Sequence, residues 1–316
     1  MLRVCPIIFL ALMVLTTACA TSQRVVEKTM LSGPVHSKII ALEPELTRFS
    51  GKGPFFVTEK IGRELSVDID NTMVIDHFYA ESPDKLPVVL ITHGNYSSRN
   101  AHNAQARLLA SWGFHVVVSD LPNRNQWLEN SKRLKNLAEL LYRLPGVLGP
   151  NADNSRMILV GHSFGGSASI VAASRGAPVM GVVLLDPALV HKQVINDMKS
   201  LDLPVVLLGA DKSVFTSRGR DRFWKNIGGE IVEISVPSAT HDDAQGPSMF
   251  ARSALGVDPF TSKGNQKIFR SVLTVAVLGI ATSGTLDFPF SIFEREEQSG
   301  VLTDVKFRSK LSASTE

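Results

Sequence analysis

Cysteine is nearly absent from this sequence. The chain has 316 residues and two cysteines, Cys5 and Cys19, both near its start. Residues 20–316 therefore cannot be cross-linked internally, and stability has to come from burial rather than disulfides. Stacking residues are sparse, with three Trp and three Tyr, and no block of Lys or Arg stands out against a net charge of +3. Nucleic acid is not an expected partner. No apolar run reaches the roughly 20 residues needed to cross a bilayer. There is no internal repeat or low-complexity tract. Neither a His-Glu-x-x-His pattern nor a cysteine pair offers a metal site. What remains, with 44% hydrophobic and 20% charged residues, is enough for one large α/β domain or two small ones.

The N-terminus has its own pattern. Arg3 precedes an apolar stretch over residues 4–15, followed by Thr16-Thr17-Ala18-Cys19. A short positive region, an apolar segment too short to span a membrane and small residues at a cut site predict an export signal over 1–18. The small residues ending in cysteine resemble the lipobox of bacterial lipoproteins, although Thr16 stands where that family prefers Leu. The resemblance implies acylation of Cys19 and a lipid-anchored envelope protein, periplasmic or at the cell surface; plain secretion is the alternative. Residues 19–52 are expected to be a polar leader or tether, 53–293 the folded domain and 294–316 a polar tail.

Within the domain, two strands are expected over 55–61 and 71–78, as an antiparallel entry into a sheet. Residues 86–92 form a continuous apolar run, the mark of a strand covered on both faces. From there helices (101–112, 126–142, 192–200, 217–226) and strands (115–119, 182–185, 205–208, 230–235) alternate. The stripe Leu134, Leu137, Leu141 and Leu144 marks the inward face of the second helix. A last helix over 266–280 is too short in its apolar part to span a membrane and is expected to pack on the sheet. The pattern predicts a mostly parallel, doubly wound α/β sheet in one domain, with function at the carboxyl ends of its strands. Only a short segment separates the strands at 182–185 and 205–208, so no large cap domain is expected.

One stretch carries the chemistry. Met157-Ile158-Leu159-Val160 leads into Gly161-His162-Ser163-Phe164-Gly165, and small residues able to start a helix follow. Gly-x-Ser-x-Gly between a strand and a helix is the nucleophile-elbow pattern, which lifts a serine hydroxyl above the end of a sheet. Side chains at Gly161 and Gly165 would collide where strand and helix nearly touch. The bland alternative is a Gly-rich turn with an incidental serine.

A serine needs a base. Of eight histidines, only His241 follows the last of these alternating strands, in Thr240-His241-Asp242-Asp243, as the order Ser, acid, His demands. It could otherwise be a surface histidine beside two carboxylates. The acid that orients it should come from a strand end between them. Asp186, before Pro187, ends the strand after the elbow, and Asp211, before Lys212, follows the next. Each could instead serve only local structure, shaping a turn or pairing with its neighbour. Backbone N–H groups of Phe164 and Asn95 are the expected oxyanion donors, the latter from His93-Gly94-Asn95-Tyr96, with Tyr96 walling a substrate pocket.

Taken together, His93-Gly94, Gly161-His162-Ser163-Phe164-Gly165-Gly166, Leu185-Asp186-Pro187 and Thr240-His241 resemble the α/β-hydrolase superfamily over about residues 53–284. Within it, the elbow followed by Leu-Asp is similar to platelet-activating-factor acetylhydrolases and chlorophyllase-like esterases, which take their acid from the strand after the elbow. Dienelactone-hydrolase and polyester-hydrolase relatives take it one strand later and favour Asp211. At that later position the family's acid usually lies deeper in the loop, where this chain has Lys212 and Ser213, so Asp186 is preferred. The resemblance implies an α/β-hydrolase fold and a serine esterase for small-molecule or lipid-like carboxylic esters, needing no metal or organic cofactor. A thioester or amide hydrolase with the same residues, and a non-catalytic envelope binding protein on this scaffold, are the alternatives.

Overall fold

The computed structural model describes residues 45–121, 126–213, 217–246 and 261–310. The expected signal segment, Cys19 and the leader up to residue 44 lie outside the described residues, as do 122–125, 214–216, 247–260 and 311–316. Contacts separate Met1–Glu43 from Pro44–Glu316, and the second unit holds the sheet.

Strands β1 (Val57–Asp68) and β2 (Asn71–Ala80) form an antiparallel hairpin at one edge. The apolar run 86–92 becomes β3 (Leu86–Thr92), buried at every residue. Helix α1 (Asn103–Ser111) leads to β4 (His115–Ser119), and helix α2 (Trp127–Arg143) to β5 (Ala152–His162). Helix α3 (Phe164–Ser174), strand β6 (Gly181–Leu185), helix α4 (Gln193–Ser200) and strand β7 (Val205–Ala210) follow. Then come α5 (Ser217–Asn226), β8 (Ile231–Val236), α6 (Lys263–Ser283), α7 (Asp287–Gln298) and β9 (Thr303–Arg308).

The nine strands make one sheet in the order β1-β2-β4-β3-β5-β6-β7-β8-β9. The six strands from β4 to β8 in that order are parallel, while β2 joins β4 and β9 joins β8 antiparallel. The parallel strands are apolar on both sides because helices cover both faces. Leu90, Leu159, Leu184 and Leu207 meet Leu134, Leu137 and Leu141 of α2 and Phe223 of α5 in one buried core. α6 lies on the opposite face, capped by Ser262 and closed by Gly284 in the left-handed conformation (φ 69°), which glycine adopts without a Cβ penalty. Its residues from Val272 to Ala281 are all buried. No described helix is long and apolar enough to cross a membrane.

Two boundaries differ from the sequence expectation. The segment from 294 was expected to be a polar tail, yet α7 runs to Gln298 and Thr303–Arg308 adds the ninth strand, with Lys306 Nζ 3.8 Å from Glu233 on β8. The expected tether also ends earlier. Leu46 and Phe49, in a short 3-10 turn (Leu46–Ser50), are buried, and Phe49 packs on Trp112 with ring centroids 5.1 Å apart. A half-exposed edge strand and a single turn need no continuous apolar run, so hydrophobic patterning does not mark them.

The antiparallel edge encloses polar groups that burial keeps neutral. His77 on β2 and His115 on β4 are fully buried with ring nitrogens 3.1 Å apart, and Tyr79 stacks on both. Burial is the main cause that pushes His77 down to about 3 and His115 to about 4, with Lys60 also disfavouring a positive charge at each. In the unfolded chain both would take up protons near pH 6.5. Their contribution to stability is therefore complete above that value and is lost as pH falls from about 6.5 toward 4. The urea midpoint should drop over this window, with a shallower drop in His77→Gln. An identical pH dependence in that variant would show that the pair does not set acid sensitivity.

Candidate active site

The sheet reverses direction of growth between β3 and β5. β4 follows β3 in the chain but lies on one side of it, and β5 lies on the other. Loops leaving such a switch point diverge and open a crevice at the carboxyl ends. Thr92 is opposite Gly161, so the loop after β3 and the turn after β5 emerge side by side.

Ser163 sits in that turn with φ 54° and ψ −122°, a conformation costly for a residue with a side chain. Hydrogen bonds hold it there. Its N–H donates to Leu185 O at 3.0 Å, and its carbonyl accepts from Gly166 and Ala188 N–H, both at 3.0 Å. The approach of strand to helix is close: a Cβ on Gly161 would lie 2.4 Å from Gly165 O, and one on Gly165 2.5 Å from His93 O. Gly94 abuts the serine itself, since a Cβ there would come within 2.6 Å of Ser163 Cβ and 3.2 Å of its Oγ.

His241 opens a 3-10 turn (His241–Ala244) after β8. Its Nδ1 lies 2.6 Å from Asp186 Oδ2. Asp186 is wholly buried at the end of β6 with φ 42°, its N–H donating to Leu208 O at 2.6 Å and its Oδ1 accepting from Ala210 N–H at 3.0 Å. Both carboxylate oxygens are thus engaged, and Asp186 fixes the imidazole ring. Asp211 follows β7 as expected, but its side chain is exposed and pairs with no described residue. Of the two acids weighed from sequence, Asp186 is the one brought to His241.

The two residues expected to donate to an oxyanion lie one at the start of α3 and one in the loop after β3. Phe164 is the first residue of α3, so its N–H has no acceptor within the helix. Asn95 follows Gly94 in the loop beside the serine, and its side-chain oxygen accepts from Tyr96 N–H at 3.1 Å. Tyr96 has φ 53° and an exposed ring. Phe164 meets Trp127 edge-on, with centroids 4.8 Å apart.

Behind these residues lies a layer that motif reading missed. His162 Nε2–H donates to His241 O at 3.2 Å, with the two rings 4.6 Å apart, and His102 packs on His162 at 5.6 Å. His102 bonds through Nδ1 to Gln105 Oε1 at 2.5 Å, and Gln105 Nε2–H donates to Ala244 O at 2.9 Å. Burial, reinforced by the neighbouring histidines, pushes His162 well below the usual imidazole range, and burial pushes His102 to about 4. Both are neutral supports. His93 is a third: its Nε2 accepts from Leu121 N–H at 2.9 Å and its Nδ1–H donates to Gly94 O at 2.7 Å, which fixes the loop beside the serine.

Asp243, two residues after His241, anchors the histidine's turn. It closes a capping box with Thr240, accepts from Ser262 N–H at 2.5 Å and holds Asn265 Nδ2 at 3.2 Å. Thr240-x-x-Asp243 is the spacing of such a box, so the signal was present. Gln245 then ties this turn to the loop after β3 through Ser97 Oγ at 3.0 Å. Among the described residues no group of three or more His, Cys, Asp and Glu side chains is placed to hold a metal ion.

No protein-family model and no curated protein matches this chain, so the reading of its site rests on residues and geometry.

Removing the capping carboxylate should loosen the turn that carries His241. Asp243→Ala should lower stability by about 2 kcal/mol, because several backbone and side-chain donors lose a buried charged acceptor. A urea midpoint equal to that of the parent chain would show that the box does not hold the turn.

Proposed function

We propose that the chain is a serine hydrolase of the α/β-hydrolase type that cleaves carboxylic esters. The observation that carries this reading is the 2.6 Å contact between His241 Nδ1 and the buried Asp186 carboxylate, beside a serine held in strained backbone at the end of β5. A paired, buried acid and a nucleophile on a sharp turn are costly to fold, and catalysis is what such an arrangement serves.

In this reading Ser163 Oγ attacks the acyl carbonyl while His241 Nε2 takes its proton, and Asp186 stabilises the imidazolium that forms. The N–H groups of Phe164 and Asn95 hold the developing oxyanion. Gly94 leaves room for the acyl group against Ser163, since any Cβ at that position would press on the serine. His241 then protonates the leaving alcohol, activates water against the acyl-enzyme and returns the proton to Ser163. The segment between β6 and β7 contains one short helix, α4, and no cap domain, which favours bulky or lipid-like esters. Export and acylation at Cys19 belong to the same proposal and would place the enzyme at a bacterial envelope.

Hydrolysis of p-nitrophenyl esters of increasing acyl length tests it. Ser163→Ala should abolish turnover with the fold retained. Asp186→Asn should cost about 10⁴-fold in kcat, as a wrong-tautomer change does, and Asp211→Asn little. Equal loss in the two Asp variants would remove the assignment of the acid, and turnover by Ser163→Ala would remove the mechanism.

A further inference from the structure

On the opposite-face side of the hairpin edge, the start of β1, helix α1 and helix α6 enclose a groove of about 640 Å³, a volume that suits a small ligand. Ala104, Arg107, Leu108 and Ser111 recur at three- and four-residue spacing along α1, so one helical stripe faces the groove, while Ala106, Leu109 and Ala110 on the other stripe are buried. Phe56 forms an apolar wall and is 78% exposed, with Lys52 Nζ 5.5 Å above its ring.

The charges are unbalanced. Lys52, Arg107 and Arg270 line the groove against a single carboxylate, Glu59. That carboxylate is already taken, because Arg107 grips it with two hydrogen bonds of 2.6 and 2.9 Å. Arg270, just before the buried stretch of α6, is half-buried and has no side-chain hydrogen bond or ion pair among the described residues. Burial alone draws its pKa down, with no opposing charge acting to raise it. A guanidinium partly desolvated and without a counter-charge is held less favourably than a paired one, and its planar fork matches a carboxylate or phosphate.

We propose that this groove is a second ligand site, separate from the Ser163 crevice, that takes an anionic head on a short apolar stem. The head pairs with Arg270, assisted by Lys52, and the stem lies along Leu108 and Phe56. Two sources share that chemistry: a free fatty carboxylate, and the headgroup of an anionic lipid in a bilayer. The site stands apart from the ester-hydrolase reading, and neither probe below is an ester that Ser163 must cleave for binding to be read.

The full chain should be titrated calorimetrically with decanoate below its micelle concentration, beside decyl maltoside as a neutral head on the same stem. It should also be floated with phosphatidylcholine vesicles with and without phosphatidylglycerol. Saturable binding of decanoate but not decyl maltoside, weakened at least tenfold in Arg270→Gln and less in Lys52→Gln, is the expected result. Arg270-dependent flotation with phosphatidylglycerol alone would also support the site and would assign the bilayer as its source. The ligand-free melting temperature of Arg270→Gln should not fall, since the variant removes an uncompensated charge. Absence of binding to both anionic probes, or equal binding by parent and Arg270→Gln, would overturn the proposal and leave Arg270 as a packed stem.

Discussion

Everything at the candidate site depends on the parallel pairing of β3 with β5 at the point where the sheet changes its direction of growth. Thr92 opposite Gly161 sends two loops out of the same edge, and the close approach of β5 to α3 forces glycine at 161 and 165. Larger residues there would push the helix off the strand and flatten the turn. The strain stored at Ser163 is sustained because the surrounding sheet is buried on both faces and cannot relax. A rigid core thus supports one unfavourable backbone conformation, and the proposed chemistry uses it.

Around that turn the polar groups form nested supports rather than a row of independent contacts. Asp186 orients His241, and His162 holds the backbone of His241 through its carbonyl. Gln105 and Asp243 then fix the turn that carries it. The neutral histidines matter here. A charged His162 against His241 would oppose the imidazolium that the proposed mechanism requires, and burial prevents it. The same principle acts at the far edge, where His77 and His115 are held uncharged by burial. There it makes a titration liability, not a site.

The two Asp candidates show the limit of spacing. Leu185 is opposite Leu208 in adjacent parallel strands, so Asp186 and Asp211 leave the same end of the sheet one strand apart, Asp211 two residues further along. Chain order admits both. The choice falls to side-chain direction: Asp186 turns inward at φ 42° and is met by Ala210 N–H and His241, while Asp211 faces solvent.

By itself the sequence determined the alternation of buried strands and amphipathic helices, the glycine-framed serine and the histidine after β8. These are local signals, written in hydrophobic period, backbone permissiveness and chain order. Only the tertiary structure decided which acid meets His241, that Asp243 caps its turn, that His102 and His162 pack behind it, and that Thr303–Arg308 adds the last strand of the sheet. Those outcomes depend on contacts between residues far apart in the chain, or on an edge strand whose alternation is half exposed, and neither leaves a periodic trace along a single sequence.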